Sequence, residues 1–468
     1  MKYFALLTAS TIVIAVLALA LYRKRRDVGV LVGTAALYYW SLFGAWYIVI
    51  DKLGGFSGKN YHYLERKMFP VQLDGNYMLT LVLYSSFIIL AQLTLLLTMS
   101  CRRERPIPRL VLRHEAILIA SYTAGLASFL IIRGKLSTAW ALDTSAYLYT
   151  RAYTGEWFTL HQVLNRAAMI PAALGLAALL AGDRSRFFVN VRRRYTLPAY
   201  LLFVLGMGAF TFVLGNKNEV LVSLIAGVLA YLASVRRPNL LKVGLVLLAG
   251  MWFLDTIDFF RGVPVSEMRS AVEQRLENAT SVARFVTSSN EAYAAHFSMY
   301  GVLADRVEPR FGYSFYALAC SIVPRVLWPD RPRDIYLYYS QQVGTIQNQG
   351  YSIHQATGWY LNFGIAGVAL GAIVLGLIWA YCLNAHQRIR AKSGLLFRIF
   401  AVIAPWLFVA YLPPLIRAGP EGYKGLIVEG FLIPVGTLAM ACRAKKTKRR
   451  RIAAPAPETE AAWLLPQA

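Results

Sequence analysis

Several charged residues of this sequence sit at the ends of long apolar runs, where a charge is costly unless something meets it. Lys217 and Glu219 lie in Gly215-Asn216-Lys217-Asn218-Glu219, a tight turn between two such runs. Arg166 stands beside Asn165 about one turn into a third run, Arg417 ends a fourth, and Glu429 lies about one turn inside a fifth. Arg261 closes another after Asp255 and Asp258, which share a helix face with it at spacings of three. Guanidinium and ammonium groups gathered at one mouth suit a phosphate or diphosphate, because Arg offers a planar fork and Lys a compact charge. Taken singly, each is as well explained by snorkelling or by pairing at the interface. His354-Gln355-Ala356-Thr357-Gly358-Trp359-Tyr360-Leu361-Asn362-Phe363-Gly364-Ile365-Ala366-Gly367 opens a further run, with another glycine at 371. This spacing predicts an imidazole at the membrane mouth, an aromatic anchor, and small residues that let neighbouring helices approach closely.

The elements that would position these groups are membrane helices. Eleven apolar runs of about 17 to 25 residues, the length that crosses ~30 Å of hydrocarbon, lie near 3–22, 28–50, 77–100, 115–133, 163–182, 197–214, 219–235, 243–260, 357–383, 398–416 and 425–441. The composition agrees: 57% hydrophobic and 16% charged is far from a soluble domain. The expected fold is an all-α polytopic membrane protein, with helices 1–8 in residues 1–260, a large outside loop over 261–356, helices 9–11 in 357–441, and a basic, disordered tail over 442–468. The first run lacks a basic start beyond Lys2 and is followed by a basic cluster, so it reads as a retained helix rather than a signal peptide.

Alternate connections are basic: Arg23 to Arg26, then Arg102 to Arg113, Arg184 to Arg194, Arg236 to Lys242, Arg388 to Arg398, and Arg443 to Arg451. They hold 28 basic residues and six acidic ones, so this face carries +22 of the formal net charge of +25. The positive-inside rule puts that face in the cytoplasm, the short N-terminus outside and the C-terminus inside. The cations are spread over short stubs beside apolar runs, where they meet anionic lipid headgroups; a nucleic-acid binder would gather them on one folded domain. Cys101, Cys320, Cys382 and Cys442 form no CxxC pair and no disulfide framework.

The long connection is the stretch with enough polar sequence for chemistry in water. Ser266 to about Arg306 is expected to be helical, with Met268, Val272, Leu276, Val282, Phe285 and Val286 as an apolar stripe. Tyr313 to Leu327 is too short to cross and return, and is expected to lie in the interface or to re-enter. Trp328-Pro329-Asp330-Arg331-Pro332-Arg333-Asp334 reads as a rigid turn.

The string from His354 resembles the H…G-x-Y-x-x-x-G-x-x-G segment that opens a late span in the bacterial O-antigen polymerase and O-antigen ligase superfamily. Lys217 stands where members often carry Gly-Ser-Arg, and Arg261-Gly262 matches the start of their large loop. Val323-Pro324-Arg325-Val326-Leu327-Trp328-Pro329-Asp330-Arg331-Pro332 is similar to the Pro-Arg…Trp-Pro-x-x-Pro segment of the oligosaccharide repeat-unit polymerase branch. The likeness by motif covers about Thr196 to Gly371. Lysine at 217 is a departure that removes a bidentate phosphate contact there.

The resemblance implies a GT-C-like membrane fold in the bacterial inner membrane and a glycosyltransferase that uses neither metal nor nucleotide sugar. Undecaprenyl-diphosphate-linked oligosaccharide repeat units would be joined at the outer face, as in O-antigen, capsule or exopolysaccharide synthesis. Cations must stabilise the charge growing on the diphosphate, a role for Arg261, Lys217, Arg166 and Arg325, with Arg331, Tyr360 and Arg417 binding diphosphate or glycan. A base must help the acceptor hydroxyl attack; His354 is the first candidate and Glu219 the second. Membrane lipids, a chain-length regulator and a flippase are the implied partners, and nucleic acid is not. The Pro-Arg…Trp-Pro segment favours a polymerase over a ligase acting on lipid A core. A transporter usually shows repeated halves and broken helices at the midplane, and no internal repeat is visible. A polyprenyl-phosphate-sugar transferase would carry an acidic pair in its first outside loop, where Asp51, Glu65 and Asp74 stand apart. The inner connections are too short for a nucleotide-sugar domain.

The charge asymmetry has a direct test. A reporter fused after Gly262 should read as outside and one after Arg237 as cytoplasmic. Labelling of both positions from the same side would overturn the orientation.

Overall fold

The computed structural model describes residues 1–52, 73–100, 109–235, 240–260, 262–264, 266–277, 291–321, 323, 327–344, 352–390 and 392–444. Its helices are α1 (Lys2–Arg25), α2 (Val28–Tyr38), α3 (Gly44–Lys52), α4 (Gly75–Thr98), α5 (His114–Ala141), α6 (Ala146–Tyr153), α7 (Glu156–Ala181), α8 (Thr196–Val213), α9 (Lys217–Ser234) and α10 (Leu240–Phe260). They continue with α11 (Met268–Glu277), α12 (Glu291–Ala304), α13 (Tyr313–Cys320), α14 (Ile335–Val343), α15 (Gln355–Asn384), α16 (Leu395–Ile416), α17 (Gly422–Gly425) and α18 (Ile433–Ala441). Among the described residues, ten helices are long and apolar enough to cross a membrane. The chain is a multi-pass membrane protein. The eighth expected run falls on α10, of which Val243–Leu254 is a shorter apolar helix.

Two groups of spans flank α16. On one side α1, α2, α4 and α15 pack together; on the other are α5, α7, α8, α9 and α18, with α10 against α9. α16 touches α2, α15, α9 and α18, and is the most buried span. It carries Pro405, Pro413 and Pro414 within the helix, a cost that packing on several sides can offset.

The described parts of the basic connections lie at one end of the bundle. There β1 (Leu110–Arg113) pairs parallel with β2 (Phe188–Val191) and antiparallel with β3 (Cys442–Ala444), in the order β2-β1-β3. The sequence predicts no sheet, because strands of three or four residues are too short to show a period. At the same end the Arg25 guanidinium donates to the carbonyls of Leu383 and Ser100, and Lys24 Nζ donates to the Leu96 carbonyl. These bonds satisfy the exposed carbonyls that every helix leaves at its C-terminus.

The opposite end departs from expectation in three places. α5 runs on to Ala141, beyond the expected stop near 133, and α6 packs back against it. The segment expected as one amphipathic helix over 266–306 contains α11 and α12; Val282, Phe285 and Val286 lie outside the described residues. α12 is not half-buried: residues from Ala292 to Tyr300 are all buried, packed against α4, α15 and the segment Tyr39–Phe43. That segment is π-helical, a bulge between α2 and α3, and a second π-helical segment, Leu426–Leu432, interrupts the last span. Such bulges often occur where a helix carries function.

α15 is bent. Phe363 (φ −145°, ψ 20°) and Gly364 (φ 62°, ψ −148°) leave the helical region, so a short arm from Gln355 to Asn362 precedes the long arm. In a straight helix Trp359 and Gly371 would be about 18 Å apart. Here a Cβ on Gly371 would meet the Trp359 ring at 2.5 Å, and one on Gly367 would meet the Trp359 carbonyl oxygen at 2.1 Å. The glycines therefore accommodate a fold-back within one segment, rather than the approach of neighbouring helices. The arm from 365 to 384 is about 30 Å long, enough for a span by itself.

Candidate functional site

At the end opposite the basic connections, charged side chains from three spans converge. α7 runs between α5 and α9, and brings Arg166 against the first turn of α9. One Arg166 terminal nitrogen lies 3.2 Å from Glu219 Oε1, and the other is ion-paired with Glu429 Oε2. Tyr411, on α16, donates to Glu429 Oε2 at 2.8 Å and accepts from Arg166 at 3.3 Å. Glu219 is 1% exposed, Arg166 12% and Glu429 14%. A guanidinium in this setting is tolerable because two carboxylates and a phenol meet it.

Beside this cluster Lys217 opens α9, half-buried. Arg417, the residue after α16, donates to Asn218 Oδ1 at 3.3 Å, and its guanidinium lies 5.4 Å from the centre of the Trp40 ring. The structure thus brings together Arg166, Lys217, Glu219, Arg417 and Glu429 from separate parts of the chain. It adds Tyr411, Asn218 and Trp40. Nothing in the sequence distinguishes these three from ordinary interface tyrosines, turn asparagines and anchor tryptophans. The signal that could have drawn attention to Tyr411 is the nearby Pro413-Pro414 pair, which removes two backbone donors from α16 while the helix continues to Ile416.

His354 is elsewhere. It is fully buried, where an imidazole at a membrane mouth was expected. It caps α15: Nδ1 accepts from the Ala356 N–H at 3.0 Å, so Nε2 carries the proton and donates to Ser41 Oγ at 2.9 Å. Its backbone N–H donates to Ser298 Oγ, and its ring packs edge-on against Tyr84 and Phe87. His296 of α12 holds the same residue from another side, donating through Nδ1 to the Ser41 carbonyl at 2.6 Å and accepting from Tyr77 through Nε2 at 3.0 Å. Burial, with His296 adjacent, pushes His354 down to about 3. Both nitrogens are committed and the imidazole stays neutral, which is the arrangement of a positioning residue. What it positions is the π-helical segment carrying Ser41 and, next to it, Trp40.

The other expected site residues stand as follows. Arg331 donates to the carbonyls of Ser321 and Val323 at 2.9 and 3.0 Å, tying the loop to itself. Tyr360 lies on the short arm of α15, half-buried against the core. Arg261 and Arg325 lie outside the described residues.

Glu421 was absent from the expected set. It lies on the turn between α16 and α17, where Oε1 accepts from the Ile335 N–H at the start of α14, at 3.0 Å. It links the start of α14 to the turn that follows Arg417. Its Oε2 is buried without a hydrogen-bond partner. Burial raises its carboxyl to about 7.

No family model matches this sequence, and no curated protein or solved structure is significantly similar to it.

The position of Glu421 gives a pH dependence. The folded chain keeps its proton up to about pH 7, whereas the unfolded chain releases it near the usual value of 4.5. The folded state therefore binds more protons between those values, and stability falls as pH rises through that window, then levels. Glu421→Gln should remove this slope and melt at higher temperature than the wild type at pH 8. An unchanged slope in the variant, measured by thermal melting in detergent, would show that another group titrates.

Proposed function

We propose that this chain is a polysaccharide polymerase of the bacterial inner membrane, GT-C-like in architecture, with the basic connections in the cytoplasm and the charged cluster at the outer face. It joins undecaprenyl-diphosphate-linked oligosaccharide repeat units. The observation that carries this reading is the proximity of opposite chemical roles at the start of α9: Lys217 and Arg417 within reach of Asn218, and Glu219 one residue further on, held by Arg166. The N-terminus of an 18-residue helix adds its own positive end at the same place.

In this reaction the acceptor hydroxyl gives its proton to the Glu219 carboxylate while its oxygen bonds to the anomeric carbon of the donor. The anomeric bond to the diphosphate breaks, and its electron pair leaves with undecaprenyl diphosphate. The charge growing there faces Lys217, Arg417 and the N–H groups of α9. Arg166 is engaged by two carboxylates, so its role is to orient Glu219 and not to bind phosphate. His354 acts through Ser41 and Trp40 on the placement of Arg417, which favours Glu219 over His354 as the base. Arg261 and Arg325 remain further cations for the donor in this proposal. A flippase and a chain-length regulator are its natural partners in the membrane.

The test uses purified protein, lipid-linked repeat units as the sole substrate, and chelator. The wild type should build a ladder of longer chains. Glu219→Gln should lose about a hundredfold or more in rate, the range for removing a general base, and Lys217→Ala about a hundredfold through the leaving group. Transfer only when lipid A core is supplied would make the protein a ligase. Movement of lipid-linked glycan across vesicles without transfer would make it a transporter.

A further inference from the structure

Next to Arg166, α7 carries a polar side chain that none of the interactions above uses. Asn165 is fully buried, and neither its Oδ1 nor its Nδ2 has a hydrogen-bond partner. It follows His161 by four residues and so shares that residue's face of α7. His161 accepts from Asn216 Nδ2 through Nε2 at 3.0 Å, which places this face toward the turn that opens α9. Asn165 therefore lies one helical turn along α7 from the His161–Asn216 pair and immediately precedes Arg166, which pairs with Glu219. Two further buried atoms of that pair lack a hydrogen bond: Arg166 Nε, and Glu219 Oε1, whose contact is the 3.2 Å ion pair with Arg166.

A buried carboxamide with both donor and acceptor unmet is a costly arrangement, because the amide has given up its bonds to water and gained none. The unmet set is specific in kind. It offers a neutral donor, a neutral acceptor, a carboxylate oxygen and one guanidinium N–H. That combination suits a group which both donates and accepts, and is uncharged. A phosphate, which accepts only, would leave Asn165 Oδ1 and Glu219 Oε1 facing another acceptor.

We infer that Asn165, with Glu219 and Arg166 Nε, forms a subsite for the hydroxyl groups of an incoming sugar, distinct from the cationic positions at Lys217 and Arg417. The inference rests on the polymerase reading and assigns its acceptor side. Asn165 accepts from one hydroxyl and donates to its neighbour, and the hydroxyl nearest Glu219 is the one that loses its proton. Asn165 is a binding residue in this arrangement: its loss weakens capture of the repeat unit more than turnover.

The experiment measures chain growth by purified protein against concentration of the lipid-linked repeat unit, together with thermal melting. Asn165→Leu keeps the branched shape and the number of side-chain heavy atoms and removes both unmet atoms. It should melt at the same or higher temperature while its KM for the repeat unit rises tenfold to a hundredfold, the scale of one or two hydrogen bonds left unmade. Asn165→Ser, which supplies one hydroxyl in place of the amide, should fall between. A Leu variant as stable as the wild type and with the same KM would mean that a buried water alone occupies the site. If both variants fail to fold, Asn165 is structural and the subsite is overturned. A wild type that forms no ladder removes the polymerase reading and the subsite with it; a wild-type ladder matched by the Leu variant removes the subsite alone.

Discussion

A guanidinium held between two carboxylates from different spans is the constraint on which this site depends. Arg166 on α7 lies in so little solvent that its charge is tolerable only because Glu219 on α9 and Glu429 on the last span both pair with it. Those two carboxylates in turn require Arg166. The register of three helices is thereby fixed at one level, and Tyr411 extends the restraint to α16, the span between the two groups. The π-helical segment Leu426–Leu432 is the local distortion that contains Glu429.

A second restraint acts from the other group of spans. Ser41 receives His354 on its hydroxyl and His296 on its carbonyl, so α12 and the cap of α15 both grip the π-helical segment Tyr39–Phe43. Trp40 lies in that segment and faces Arg417. The two π-helical distortions thus hold partners of the same charged region from opposite groups. Neutral histidines suit this task, since each offers one donor and one acceptor in fixed geometry and remains uncharged in the core.

Much of the architecture was legible in the sequence because hydrophobic length and loop charge are properties of single segments. All eleven expected runs fall on helices, and Arg166, Lys217, Glu219, Arg417 and Glu429 could be singled out because a charge in an apolar run needs a partner. Which partner each takes depends on packing between segments far apart in sequence, and no periodicity encodes that. His354 illustrates the limit. Its place before a span predicts a mouth, but burial follows from α12 folding over it, and α12 carries no amphipathic stripe to announce that it enters the core. The glycines at 364, 367 and 371 mislead in a similar way, because small residues admit a fold-back as readily as a neighbouring helix. Asn165 was visible only as a neighbour of Arg166; its unmet amide is a property of the packed bundle.

The mutual dependence of Arg166 and Glu429 is best tested by a double-mutant cycle on stability in detergent, with Arg166→Met, Glu429→Gln and the pair together. Removing Arg166 alone should cost about 3 to 5 kcal/mol, as expected when a buried ion pair is broken on one side. The second substitution should then recover a large part of that loss, giving a coupling of at least about 1.5 kcal/mol. Additive effects, with no recovery in the double variant, would contradict the view that these charges hold the site together.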